Sequence, residues 1–238
     1  MTFSIVAWDP ATGMTGIAVA TKHLAVGALV PHAKANIGAI ATQAATNPLL
    51  GIWGLRLLES RRTAQTDDFP IPLEAVLDVL LQNDEERDHR QLHLVDHQGH
   101  TVGWTGAHCI DWAGHLTFPN FSVAGNMLVG EQVLRAMADT FHSHASLNFS
   151  ERLLCALEAG DRAGGDKRGK QSAALYVVKD DFYPHLDLRV DNHREPIKEL
   201  RILHTEACKD YYQSFRQTMP SQKQFQFKVD PIWLRKVV

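Results

Sequence analysis

Thr2 follows the initiator methionine and opens a run of strand-forming residues, Thr2 to Trp8. Removal of Met1 gives this threonine a nucleophile and a base in one residue. A free α-amine, with a reference pKa of about 7.7 to 8.0, takes the hydroxyl proton directly or through one water, so no histidine is needed. A threonine in this position also serves as the first residue of an ordinary strand, and the reading gains weight only if other polar groups converge on it.

Few other residues offer comparable chemistry. Gly125-Asn126 follows a strand and precedes a helical segment, so its backbone N–H groups and the Asn126 amide suit an oxyanion hole or a substrate carbonyl. Gln43 and Asn47 lie where a buried strand exits into a helix, at a natural cleft rim; Asn47 also has the character of a helix cap. The 13 histidines invite a metal reading, but no His-Glu-x-x-His occurs, and His93 and His97 span a strand-to-turn junction instead of one helical face. His100, His108, Asp111 and His115 show no better ligand spacing. Cys109, Cys155 and Cys208 are odd in number and far apart, which supports neither a disulfide framework nor a paired-cysteine zinc site. Gly160 to Gly169 carries neither phosphate-loop spacing.

The elements that must position these residues follow from periodicity. Thr2 to Trp8 and Thr15 to Thr21 form an opening hairpin around Asp9-Pro10-Ala11-Thr12-Gly13. The small-residue runs Leu24 to Val30 and Ile37 to Gln43 continue a mostly sheet N-terminus, the second as a strand buried on both faces. Asn47-Pro48 caps a helix carrying Leu50, Trp53 and Leu57, and a second helix spans about Leu73 to Gln82. Strands return at Leu92 to Asp96, Thr101 to Gly106 and Phe121 to Ala124. A second helix pair contains Val133, Leu134, Met137 and Phe141, then Ser150 to Ala159 with Ser150 as its cap. Ser172 to Val178 and Leu186 to Val190 precede a last helix from Pro196. Grouped strands alternating with paired helices imply two packed sheets with helices outside, an α+β arrangement.

With 45% hydrophobic and 21% charged residues among 238, the composition is that of a folded chain. The charge of 24 minus 27, or −3, provides no field for nucleic acid or an acidic membrane. No stretch approaches the roughly 18 apolar residues of a membrane span, and the cysteine usage suits a reducing cytoplasm. The expected organisation is a domain over residues 1–204 and a polar extension over 205–238, packed on the domain or on an oligomer partner.

The blocks Thr2-Phe3-Ser4-Ile5-Val6-Ala7, Ala20-Thr21-Lys22, Ala39-Ile40-Ala41-Thr42-Gln43-Ala44, Gly125-Asn126-Met127-Leu128 and Gly164 to Leu175 resemble the bacterial and archaeal domain-of-unknown-function family 1028. The resemblance covers about residues 2 to 204. That family is similar in fold to the N-terminal nucleophile (Ntn) hydrolases, which include proteasome β subunits. The resemblance therefore implies a four-layer αββα sandwich, the layering that the periodicity also suggests. In that superfamily an N-terminal Thr, Ser or Cys attacks an amide beside a lysine or arginine. Lys22, across the hairpin from the start of the first strand, fits this cation and would favour the neutral amine; Lys34 competes for the role. Asp166 lies where the acidic loop beside the proteasome nucleophile would be, orienting amine and hydroxyl, although an Asp that only bonds its own turn is the plainer alternative. Ser172 and Arg168 would bind substrate, Arg168 through a carboxylate, unless Lys167-Arg168-Lys170 is a solvated basic loop.

The resulting expectation is a cytoplasmic homo-oligomer that cleaves a carbon–nitrogen bond in a small or peptide-like amide, with no metal or organic cofactor and no nucleic-acid or membrane partner. Thr2, Lys22, Asn126 and Asp166 are its catalytic set; Gln43, Asn47, Arg168 and Ser172 bind substrate. The alternatives are a non-catalytic ligand-binding or assembly protein on the same fold, and a metal-dependent hydrolase using the histidines and Asp111.

Overall fold

The computed structural model describes residues 2–65 and 70–225. Met1 and residues 226–238, which include Trp233 and the end of the polar extension, lie outside the described residues. The chain runs β1 (Thr2–Trp8), β2 (Thr15–Thr21), β3 (Pro31–Lys34), β4 (Gly38–Ala44), α1 (Pro48–Ala64), α2 (Leu73–Gln82), β5 (Arg90–Asp96), β6 (Thr101–Thr105), β7 (Gly114–Phe118) and β8 (Phe121–Asn126). It continues with α3 (Gln132–Ser143), α4 (Phe149–Arg162), β9 (Ser172–Val178), β10 (Leu186–Val190), α5 (Pro196–Ala207) and α6 (Asp210–Gln217). This is a mixed α+β fold with two antiparallel sheets, ordered β10-β9-β2-β1-β8-β7 and β3-β4-β5-β6.

Period-two alternation assigns each side chain of β1 to one of two environments. Phe3, Ile5 and Ala7 join Leu134, Met137, Leu153 and Leu157 from α3 and α4 in one apolar cluster. Val6 points the other way, with Ile17 and Val19, to meet Ala39, Ala41 and Val95 of the four-stranded sheet. The remaining face of that sheet packs Ile40, Leu92 and Leu94 against Leu73, Val76, Leu77 and Leu80 of α2. β1 is thus interior to its sheet and covered on both faces.

Asn47 caps α1, accepting the Leu49 N–H at 3.2 Å, with Pro48 at the first helical position. Two expectations change, and one strand is additional. Leu24 to Val30 does not extend the sheet: Val26–Ala28 forms a 3-10 turn behind a left-handed Ala25, and Pro31–Lys34 is the strand. The cause is tertiary, because Ser172 Oγ donates to His23 O at 2.6 Å and accepts the Val26 N–H at 3.0 Å, holding the chain in a turn. Ser150 lies inside α4 instead of at its cap, and its hydroxyl is 2.9 Å from His204 Nε2. The strand β7, between turn-rich segments and opening on glycine, was carried by no clear alternation and is held by pairing to β8.

Gly160 lets α4 approach β1: a Cβ there would sit 2.9 Å from Met137 Sδ and 3.3 Å from the Phe3 ring. Phe3 fills this space next to Thr2 with no exposed surface. Phe3→Ala should lower unfolding free energy by about 3–5 kcal/mol, read from urea denaturation, because the rigid strand and helix leave a cavity. A loss below about 1 kcal/mol would show that the two elements collapse onto the site.

Candidate active site at the end of β1

Strand register brings four polar side chains into one row. Thr2 is opposite Thr21 on β2 and Asn126 on β8, and Thr21 is opposite Ser172 on β9. With strands about 4.8 Å apart, the row Ser172–Thr21–Thr2–Asn126 spans about 15 Å. Alternation turns it toward the four-stranded sheet, on the same face as Ser4 and Val6. All four residues are buried, and Thr2 Oγ1 is 3.1 Å from Thr21 Oγ1.

Asp166 closes the loops around the row. It bridges to Leu128 just beyond Asn126, and its Oδ2 accepts the Lys22 N–H at 3.0 Å while Oδ1 accepts the Arg168 N–H at 2.7 Å. The Arg168 guanidinium approaches the same carboxylate at 3.5 Å. Asp166 therefore organises its own turn and also ties that turn to the residue after Thr21. The Lys22 side chain is exposed, while its backbone is held. Lys34 lies elsewhere, with its ammonium 2.6 Å from Glu59 on α1.

Behind the row, a buried polar network joins the two sheets, and its hydrogen-bond directions can be deduced. Gln91 faces the carbonyl oxygens of Gly114 at 3.0 Å and Gly125 at 2.8 Å; carbonyls only accept, so the atom facing them is Nε2. Gln91 Oε1 is then the acceptor for Asn126 Nδ2 at 3.0 Å and Gln43 Nε2 at 2.8 Å. Gln43 consequently turns Oε1 to the Ser4 hydroxyl, which donates to it at 2.7 Å. Having given its one hydrogen, Ser4 Oγ accepts from His93 Nε2 at 2.8 Å, so Ser122 donates to His93 Nδ1 at 2.6 Å. The imidazole is neutral, because complete burial, with a smaller contribution from the His115 charge, pushes its pKa from 6.5 down to about 3.

The sequence candidates divide between this end of the molecule and other places. Thr2, Lys22, Asn126, Asp166, Arg168 and Ser172 come together around the row. Gln43 is reached through Gln91, with its amide engaged inside the network. Asn47 is at the start of α1, where Nδ2 donates to Asp84 at 2.9 Å. The backbone after Asn126 is also engaged: Met127 N–H donates to Ile110 O and Leu128 N–H to Trp112 O, at 2.8 and 2.9 Å. Among the described residues, the recorded side-chain partner of the Asn126 amide nitrogen is Gln91 Oε1. Among the described residues, no group of three or more His, Cys, Asp or Glu is arranged to hold a metal ion. Ser4, Gln91 and Ser122 were not singled out from sequence. Their signal is a strand such as β5, where Gln91 and His93 alternate with Leu92 and Leu94; such a pattern ordinarily marks a solvent face.

Residues 2–200 match the model of a family of unknown function, DUF1028. The chain belongs to the DUF1028 family. It is 34% identical to protein SPO2555 from Silicibacter pomeroyi, a DUF1028 crystal structure, with a TM-score of 0.83 and 96% of each chain covered. It is also similar to Anbu, an ancestral beta-subunit, from Yersinia bercovieri, at 12% identity and a TM-score of 0.38 over 96% of this chain and 100% of that one. A Gly-1 mutant of Anbu from Hyphomicrobium sp. strain MC1 gives 12% identity and a TM-score of 0.41, with the same coverage. No curated protein matches.

The buried imidazole of this DUF1028 chain makes stability depend on pH. Its folded pKa of about 3 lies below the usual 6.5, so between those values the unfolded chain binds more protons. Its contribution is complete above pH 6.5 and is lost progressively as pH falls toward about 3. His93→Gln should flatten the decline in unfolding free energy between pH 6 and 4, followed by urea denaturation. An unchanged slope would mean that other groups dominate acid unfolding.

Proposed function

We propose that this DUF1028 protein is an Ntn-type amidohydrolase in which Thr2, freed of Met1, is the nucleophile. The observation that carries the reading is the buried row of Ser172, Thr21, Thr2 and Asn126 beside the Asp166 loop. Support for a four-layer αββα sandwich comes from three apolar clusters, one between the sheets and one between each sheet and its helices.

In this reading Thr2 Oγ1 attacks the amide carbonyl carbon and its proton passes to the Thr2 α-amine. The new C–O bond leaves charge on the carbonyl oxygen, where the second Asn126 N–H donates. Collapse breaks the C–N bond, and the ammonium returns the proton to the leaving nitrogen. Water, deprotonated by the same amine, then hydrolyses the ester and restores Thr2. Asp166 holds the loop after β2, and the exposed Lys22 supplies positive potential that keeps the amine neutral. Arg168 flanks the substrate and Gln43 acts from behind, while the Ser172 hydroxyl, spent on His23 and Val26, fixes the turn after β2 in place of the expected substrate contact. The substrate is a small-molecule or peptide-like amide, and the protein works as a cytoplasmic homo-oligomer.

A β-lactone probe should acylate the form lacking Met1 at Thr2, as shown by intact mass and peptide mapping, and turnover of a panel of amino-acid 4-nitroanilides should require the same form. Thr2→Ala should abolish both and Thr2→Ser should retain both. An activity-linked adduct on Cys109, or full activity with Met1 retained, overturns the mechanism and favours the binding or metal alternatives.

Lys22→Met should lower the acylation rate by about 10²-fold with little change in unfolding midpoint, and Lys34→Met should leave it unaltered. The opposite pattern transfers the cationic role to Lys34.

A further inference from the structure

We propose that Gln91, on the four-stranded sheet, is a positioning residue that holds the Asn126 amide as a hydrogen-bond donor beside Thr2. This rests on the Thr2 reading and extends it across the sheet interface. Asn126 alone is ambiguous, because rotating its carboxamide by half a turn exchanges N–H and C=O and would present an acceptor to the developing oxyanion. Gln91 removes that freedom. Its Nε2 shares two hydrogens among three acceptors, the Gly114 and Gly125 carbonyls and Thr105 Oγ1 at 3.0 Å, so its Oε1 meets Asn126 and Gln43. Two amide donors converge on that one oxygen, and Asn126 must turn Nδ2 toward it.

The restraint is buried and does not adapt: Gln91, Gln43 and His93 have no exposed surface, and Asn126 is 2% exposed. The acceptors that set the direction are backbone carbonyls of paired strands β7 and β8, where Gly114 is opposite Gly125. Reversing the Gln91 amide would aim its oxygen at two carbonyl oxygens and leave two buried amide groups facing N–H with N–H. The network carries this orientation to a single atom beside the nucleophile.

Gln91→Glu tests this with almost no change in shape. Charged or neutral, the introduced group keeps an oxygen that accepts from Asn126, whereas Gln91→Leu removes that acceptor. Acylation of Thr2 by the β-lactone is followed by intact mass from pH 5 to 9 for wild type, Gln91→Glu and Gln91→Leu, with urea midpoints measured alongside. Gln91→Glu should be acylated within about tenfold of wild type wherever its urea midpoint shows it folded, because the Asn126 acceptor is kept. Gln91→Leu should be about 10²-fold slower at every pH at which it is folded. In wild type, the bonded Asn126 Nδ2 hydrogen should exchange with solvent more slowly than those of exposed asparagine side chains, by NMR. A wild type that is not acylated at Thr2 overturns the nucleophile reading and this inference together. Normal wild-type acylation with a folded Gln91→Leu that is acylated just as fast, or rapid exchange of both Asn126 hydrogens, overturns the role of Gln91 alone.

Discussion

A carboxamide sealed between two sheets loses free energy unless each of its polar atoms finds a partner, and Gln91 meets this demand with groups from both sheets. Two of its partners are backbone carbonyls whose positions are set by strand pairing. The register of β7 and β8 therefore decides the amide direction, which fixes Gln43, Ser4 and the His93 tautomer in turn. A shift of β5 by one residue would exchange Gln91 and His93 for Leu92 and Leu94, placing apolar groups against the carbonyls and polar ones against α2. Sheet register and site geometry are thus consequences of the same buried polar contacts.

The layer between the sheets changes character along its length. Around Val6, Ile17, Ala41 and Val95 it is apolar, and burial alone holds the sheets together. Toward the start of β1 it becomes Ser4, His93, Gln43 and Gln91, ending in the row that contains Thr2. Opposite this, Phe3 anchors the same strand into the helix layer against Gly160. Apolar packing on one face and directed hydrogen bonds on the other leave the first residues of β1 little freedom, which suits preorganised polar chemistry. Asp166 adds the third constraint by tying the loop before β9 to Lys22 and Leu128.

Much of the element order was readable from periodicity. β1, β2, α2, β9 and β10 begin and end where alternation and helical spacing place them. The Asn47-Pro48 start of α1 was equally legible, because a cap and an N1 proline are local chemistry. The failures occur where a distant group decides: Ser172 bends Leu24 to Val30 into a turn, His204 takes the hydroxyl expected to cap α4, and β8 recruits β7. Of the site, Thr2 and Asn126 were visible as residue types next to strand ends and a glycine turn, and Asp166 only through the family resemblance. Gln91 was invisible, since a glutamine alternating with leucines looks the same whether its face meets water or a second sheet.

The amino-acid sequence by itself determined the alternation of strands and helices, which face of each strand is apolar, and the presence of a threonine at the head of β1. These depend on local sterics, capping and spacing. Tertiary structure decided which strand ends lie side by side, and so assembled Ser172, Thr21, Thr2 and Asn126 from four separate segments. It also decided the directions of the buried amides and the proton position on His93. A hydrogen-bond direction belongs to a donor and an acceptor together, and the partners of Gln91 and His93 on β1 and β8 come within 3 Å only when the two sheets close on each other.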